Sequence, residues 1–218
     1  MNIPKKILVL AAHPDDETLG CGATLARLSG EGHDIQLLTF TDGVGAREAT
    51  DDNRNPSLEQ VSKVLGINSY AYGDFPDNAM DSVPLLDLCK FIEQNVGSEP
   101  DIIFTHNSDD LNVDHQLVFQ AALTAFRPQR GSTHQIYSFH VPSSTDYNPQ
   151  SSFRGNFYFK LDSKYVHRKL EALKIYDEEM REFPHSRSYE NVENLLKVWG
   201  SEVGYPYCEK FQLIRGVQ

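Results

Sequence analysis

Six apolar residues in a row, 7–12, run straight into His13-Pro14-Asp15-Asp16-Glu17. A strand with one wet face alternates apolar and polar side chains, because successive residues point to opposite faces. An unbroken apolar run belongs to a strand covered on both faces, the habit of parallel sheets flanked by helices. Residues 35–41, 102–105 and 136–141 are further apolar-rich runs, and 69–72 is a weaker one. Helical patterns fall between these runs, at 18–29, 58–65, 85–96 and 115–126. Gly30, Gly66 and Gly97 close the first three. In the fourth, Val118, Ala121, Ala122, Ala125 and Phe126 share one face before Pro128. The alternation predicts an α/β fold, Rossmann-like, with a mostly parallel sheet and helices on both faces.

The pattern changes after Pro142. Residues 143–145 and 149–152 read as loop, 157–159 as a strand, 164–182 as one long helix, 191–199 as another helix and 211–214 as a last strand. The expected buried side of the long helix is Val166, Leu170, Leu173, Ile175 and Tyr176. Residues 1–218 read as a single domain, with 143–218 as its C-terminal elaboration.

Charge and cysteine usage narrow the classes. A formal charge of -11 repels phosphate backbones, so no nucleic-acid groove is expected. Three scattered cysteines, Cys21, Cys89 and Cys208, make neither a disulfide framework nor a thiolate metal site. They read as reduced, buried thiols of a cytoplasmic protein. The apolar run after Lys5 and Lys6 is too short for a secretory signal and abuts acids. No run approaches the length of a membrane span.

In a parallel sheet ligands bind beyond the carboxyl ends of the strands, and two loops there carry chemistry. The first is His13-Pro14-Asp15-Asp16-Glu17. Imidazole beside carboxylate suits zinc or a similar divalent ion, and Pro14 holds His13 extended. One aspartate can ligate while the other accepts a proton from water. The competing reading is a helix cap, which uses one carboxylate and leaves His13 without a role. The second loop, from His106 to Asp109-Asp110-Leu111-Asn112-Val113-Asp114-His115, opens the fourth helix. His115 is the expected third ligand, with Asp114 placed to orient an imidazole. Asp109 and Asp110 read equally well as loop solvation.

These two motifs, 12–22 and 105–115, resemble the PIG-L/LmbE-like family of metal-dependent N-deacetylases. Thr41-Asp42-Gly43, Leu65-Gly66, Phe183-Pro184-His185-Ser186-Arg187-Ser188 and 200–204 extend the likeness over nearly the whole chain. The resemblance implies that His13, Asp16 and His115 bind one divalent ion, Zn2+ first and Fe2+ as the alternative. It implies that Asp15 is the general base and that Asp114 supports the catalytic groups. It also implies hydrolysis of the N-acetyl group of an amino sugar or sugar nucleotide. A metal amidase acting on another N-acyl substrate, and a non-catalytic sugar binder, are the rivals. An assembly of identical copies is compatible with the sequence.

Two departures from the family pattern bear on mechanism. Asn112 stands where many relatives have a histidine, and an amide donates a hydrogen bond but delivers no proton. His140 stands where relatives often have glutamate. Asn112 and His185 are the expected oxyanion donors, with His185 the alternative acid. Arg47 and Arg187 are the expected contacts to a sugar phosphate.

Overall fold

A computed structural model describes residues 3–42, 55–149 and 153–217. Among the described residues seven strands form one sheet in the order β3-β2-β1-β4-β5-β7-β6. The first five are β1 (Lys6–Ala11), β2 (Asp34–Thr39), β3 (Ser69–Tyr72), β4 (Ile102–Thr105) and β5 (Gln135–Ser138). They are mutually parallel. The sheet is completed by β7 (Cys208–Arg215), antiparallel to β5, and β6 (Phe157–Lys160), antiparallel to β7.

The apolar run of β1 explains the layering. Ile7, Val9 and Ala11 pack on one side with α1 (Asp16–Gly30), α2 (Asn55–Leu65) and α5 (Ser163–Ile175). Leu8 and Leu10 pack on the other with α3 (Leu85–Asn95) and α4 (Val113–Ala125). Each β1 side chain from Ile7 to Ala11 is buried, as a strand between two helical layers requires. The α/β expectation, a mostly parallel sheet with helices on both faces, is what the fold shows.

Gly66 ends α2 at φ +77°, where a Cβ would fall 2.1 Å from Ser29 Oγ. At Gly20 a Cβ would fall 2.3 Å from Phe139 Cδ2, so glycine lets α1 lie close against the residue after β5.

The expectation for residues 164–182 is overturned. The helix α5 stops at Ile175, and a 3-10 turn follows at Asp177–Glu179. The N–H groups of Tyr176, Glu179 and Met180 reach back three residues, to Leu173, Tyr176 and Asp177. Three consecutive acids at a helix C-terminus oppose its dipole, and Asp177-Glu178-Glu179 are such a run. A final helix, α6 (Tyr189–Glu202), is capped by Ser188, whose side chain accepts from Asn191 N–H. Among the described residues no helix is long and apolar enough to cross a membrane.

The chain runs from β1 outward to β2 and β3 on one side, then returns to lay β4 and β5 on the other. The strand order therefore reverses between β1 and β4, which opens a crevice at their carboxyl ends.

Candidate active site

The loops after β1 and β4 both empty into that crevice. Past His13 the chain turns through Asp15 at φ 119° and ψ -31°, and α1 begins at Asp16. A non-glycine residue there costs on the order of 1–3 kcal/mol, and such strain gathers at functional sites. The Asp15 side chain makes no capping bond to the helix. Asp16 Oδ2 instead accepts from the backbone N–H of His13 at 2.9 Å. Capping is thus not the work of these carboxylates. In the second loop Asn112 is the N-cap of α4, its Oδ1 accepting from Asp114 N at 2.8 Å and His115 N at 3.4 Å. Its Nδ2 donates to Asn78 Oδ1 at 3.0 Å.

Three donor atoms from the two loops converge. His13 Nδ1 lies 3.1 Å from Asp16 Oδ2, His115 Nε2 lies 3.2 Å from the same oxygen, and the two nitrogens are 3.3 Å apart. A tetrahedral ion holding its ligands at about 2.0–2.1 Å separates them by about 3.3–3.4 Å. The triangle therefore has the size such an ion requires. The far nitrogens are each held by a carboxylate. His13 Nε2 faces Asp114 Oδ2 at 3.0 Å and Asp77 Oδ1 at 3.2 Å, and His115 Nδ1 faces Asp110 Oδ2 at 3.2 Å. With protons on those outer nitrogens, both inner lone pairs point into the triangle. Asp16 Oδ1 is buried with no partner among the described residues, an arrangement that is costly for a carboxylate unless a cation compensates.

Electrostatics agree with a cation site. Burial would raise Asp16, but the charge of His115 and the contacts of His115 and His13 hold it well below the usual carboxylate range. Burial would lower His115, yet the Asp16 charge and the Asp110 contact raise it to about 9. Positive charge is thus favoured at the cluster, and a metal ion competes for it with protons.

Asp15 stands apart from the triangle. Its Oδ2 accepts from Arg187 Nη1 at 2.9 Å, and its backbone N–H donates to Glu17 Oε2 at 3.1 Å. Burial pushes the Asp15 carboxyl up to about 8, with Asp16, Glu179 and Glu17 adding and Arg187 opposing. Arg187 is itself fixed, its Nε donating to Ser143 Oγ at 2.7 Å and Pro142 O at 3.2 Å. His185 lines the same cleft, and its Nδ1 accepts from Arg187 N at 3.0 Å. The cleft holds roughly 340 Å³ and is also lined by Asp77, Asn78, Asn112, Glu179 and Arg181. Arg47 lies outside the described residues.

Three neighbours of the triangle went unassigned in the sequence. Asp110 is fully buried, and besides His115 it accepts from Ser144 Oγ and Thr145 Oγ1 at 3.0 and 2.7 Å. His106 accepts from Ala12 N at 2.8 Å, and its ring stacks on His115 with centroids 3.9 Å apart. Burial and the adjacent His115 charge hold His106 well below the usual imidazole range. Its signals were its place at the end of a buried strand and at the head of the 105–115 motif, neither of which gave it a role. Asp77 sits in the loop after β3, and no motif marked it. Asp114 contacts His13 rather than its neighbour His115, since adjacent helical residues point about 100° apart.

Comparison with known proteins bears on this geometry. A family model described as PIG-L, GlcNAc-PI de-N-acetylase, matches residues 8–126, which include both loops. The uncharacterized deacetylase YaiS of Escherichia coli K12 is 31% identical over 180 residues, covering 79% of this chain and 91% of that one. A 1D-myo-inositol 2-acetamido-2-deoxy-alpha-D-glucopyranoside deacetylase of Kineococcus radiotolerans is 33% identical over 85 residues. That match spans 34% of this chain and 24% of that relative. Among solved structures, N,N'-diacetylchitobiose deacetylase of Pyrococcus horikoshii superposes with a TM-score of 0.75 at 18% identity, covering 96% of this chain and 84% of that one. At that identity the likeness is one of fold.

Proposed function

This chain belongs to the PIG-L family, described as GlcNAc-PI de-N-acetylases, and on that premise we propose that it hydrolyses the N-acetyl group of an amino sugar. The products are acetate and a free amine. The observation that carries this reading is the triangle of His13, Asp16 and His115, with edges of 3.1–3.3 Å, beside a separate aspartate in one cleft. Those three residues would hold one divalent ion; two imidazoles and one carboxylate suit zinc, with iron(II) as the alternative. Such an ion supplies Lewis acidity toward water and toward an acyl oxygen.

The remaining steps fall to the chain's own groups. Asp15, raised by burial, takes a proton from water as its oxygen bonds to the acetamide carbon. Arg187 holds the Asp15 carboxylate in place; its three hydrogen bonds within the protein support this over a grip on substrate phosphate. Asn112 lines the cleft, and the Nδ2 hydrogen not given to Asn78 is assigned as a donor to the developing oxyanion. When the C–N bond breaks, the proton goes to the leaving nitrogen from Asp15 or from His185. Asp114 keeps His13 in the binding tautomer. Arg47 remains assigned to substrate from the sequence alone.

The sugar substrate is supported by the polar cleft and by the names of the inositol and chitobiose relatives. We take the chain as one domain, since β7 from the C-terminal part pairs directly with β5; its three buried, unpaired thiols support a cytoplasmic setting. The test is free-amine release from N-acetylated monosaccharides, disaccharides, inositol conjugates and nucleotide sugars, with zinc added or chelated. Turnover of at least one sugar that chelation abolishes is expected. Turnover only of non-sugar N-acyl substrates, or none at all, refutes the proposal.

A further inference from the structure

We propose that Asp146, paired with His140, is a positioning residue that fixes the turn holding Arg187 against Asp15. This rests on the reading of Asp15 as the base. Residues 140–146 follow β5 and form a tight turn over the cleft. Asp146 Oδ1 pairs with His140 Nε2, and its Oδ2 accepts from Ser143 N at 3.1 Å. Ser143 is held at φ 72°, a conformation that a serine leaves unless bonds impose it. From that conformation Ser143 Oγ accepts Arg187 Nε at 2.7 Å, and Arg187 Nη1 reaches Asp15 Oδ2 at 2.9 Å. The route from Asp146 to the base is thus three hydrogen bonds long.

The same turn also reaches the triangle. Thr145 Oγ1 accepts from Val141 N at 2.9 Å and donates to Asp110 Oδ2, the partner of His115. Ser144 Oγ donates to the same Asp110 oxygen. These two side chains are tied to Val141, whose O accepts from Thr145 N at 3.0 Å, and not to Asp146, so the route from Asp146 runs to the base. His140 is the anchor: it is 5% exposed and is packed by Phe153 and Trp199, with ring centroids 5.5 and 5.4 Å away. Neither His140 nor Asp146 lines the cleft, so they act through Ser143 and Arg187 and not by touching substrate.

Two measurements on the full chain test this. Asp146→Asn should lower kcat about tenfold, as small misplacements of reacting groups do, with KM and bound zinc little changed. In an Arg187→Lys background, which lacks the Nε donor, Asp146→Asn should cost nothing further. A merely structural role would lower kcat by the same factor in both backgrounds, and that result, or wild-type kcat in Asp146→Asn, overturns the proposal. The second readout needs no substrate. The Nε–H signal of Arg187 in nitrogen-15 NMR, identified by its loss in Arg187→Lys, should exchange with water at least about tenfold faster in Asp146→Asn. Unchanged exchange overturns the brace even if activity falls. Faster exchange in a chain that deacetylates nothing upholds the brace and sinks the reading of Asp15. Should Asp146→Asn not fold, His140→Gln is measured by the same two readouts and judged by the same outcomes.

Discussion

Asp110 Oδ2 lies 3.2 Å from Nδ1 of His115, on the ring nitrogen that faces away from His13 and Asp16. The contact fixes which nitrogen of His115 keeps its proton and leaves the other free for an ion. Carboxylates in this position change metal affinity about 10–100-fold when removed. Asp110→Asn places an amide group where three donors now meet an oxygen, so zinc affinity should fall by that order. Turnover should return as zinc is raised. Competition against a chelating dye measures it, and an unchanged affinity would assign Asp110 a purely structural role.

Much of this was legible from residue order, because a strand's end and a helix's start are local properties. The apolar run of β1 and the Pro14 that follows locate the first loop, and the helical face of Val118, Ala121 and Ala122 locates the second. The structure brings His13, Asp16 and His115 together there. Which carboxylate serves which ring was not legible. That depends on the rotation of α4 and on how the 140–146 turn folds over it, so Asp110 could not be told from Asp109. Asp77 comes from a loop without pattern. The break after α5 was hidden for a different reason. Tyr176 and Met180 are both buried and keep a helical spacing of four residues across the 3-10 turn. The break matters because Glu179 and Arg181, just beyond it, reach the cleft wall.

Asp15 and Asp16 are neighbours with different surroundings, and their variants should separate. Asp15→Asn keeps the triangle and should bind zinc as the wild type does, while kcat falls about 10²–10⁴-fold, the usual contribution of a general base. Asp16→Asn should lose zinc and turnover together. Metal content by elemental analysis, alongside amine release, distinguishes them. Full turnover by Asp15→Asn would remove that residue from the mechanism.

Lys169 is 1% exposed, an unusual place for an ammonium group. Its Nζ donates to Leu19 O and to Glu209 Oε1, both at 2.7 Å. Glu209 also accepts from the backbone N–H groups of Ala23 and Thr24 at 3.1 and 2.6 Å. The pair ties α5 and β7 to the middle of α1, the helix that begins at Asp16. Removing one partner strands the other, which costs about 3–5 kcal/mol in buried pairs. Lys169→Met should therefore lower stability by that amount in urea unfolding, and adding Glu209→Gln should restore part of it. Additive losses in the double variant would mean that the two charges do not depend on each other.

The His140–Asp146 pair gives a pH signature in stability. Burial raises the Asp146 carboxyl, but the bond and charge of His140 lower it more, so its folded value sits below the ordinary one. A carboxylate lowered by folding stabilises the protein fully above its unfolded pKa, about 3.9 for aspartate. That stability is lost as the pH falls through the folded value. The wild type should therefore lose stability between about pH 5 and pH 2 more steeply than Asp146→Asn, which has no such group to titrate. Urea midpoints taken across that range for both proteins decide it. Parallel curves would show that the pair contributes nothing to folding, and would leave the packing of His140 by Phe153 and Trp199 as the anchor of the turn.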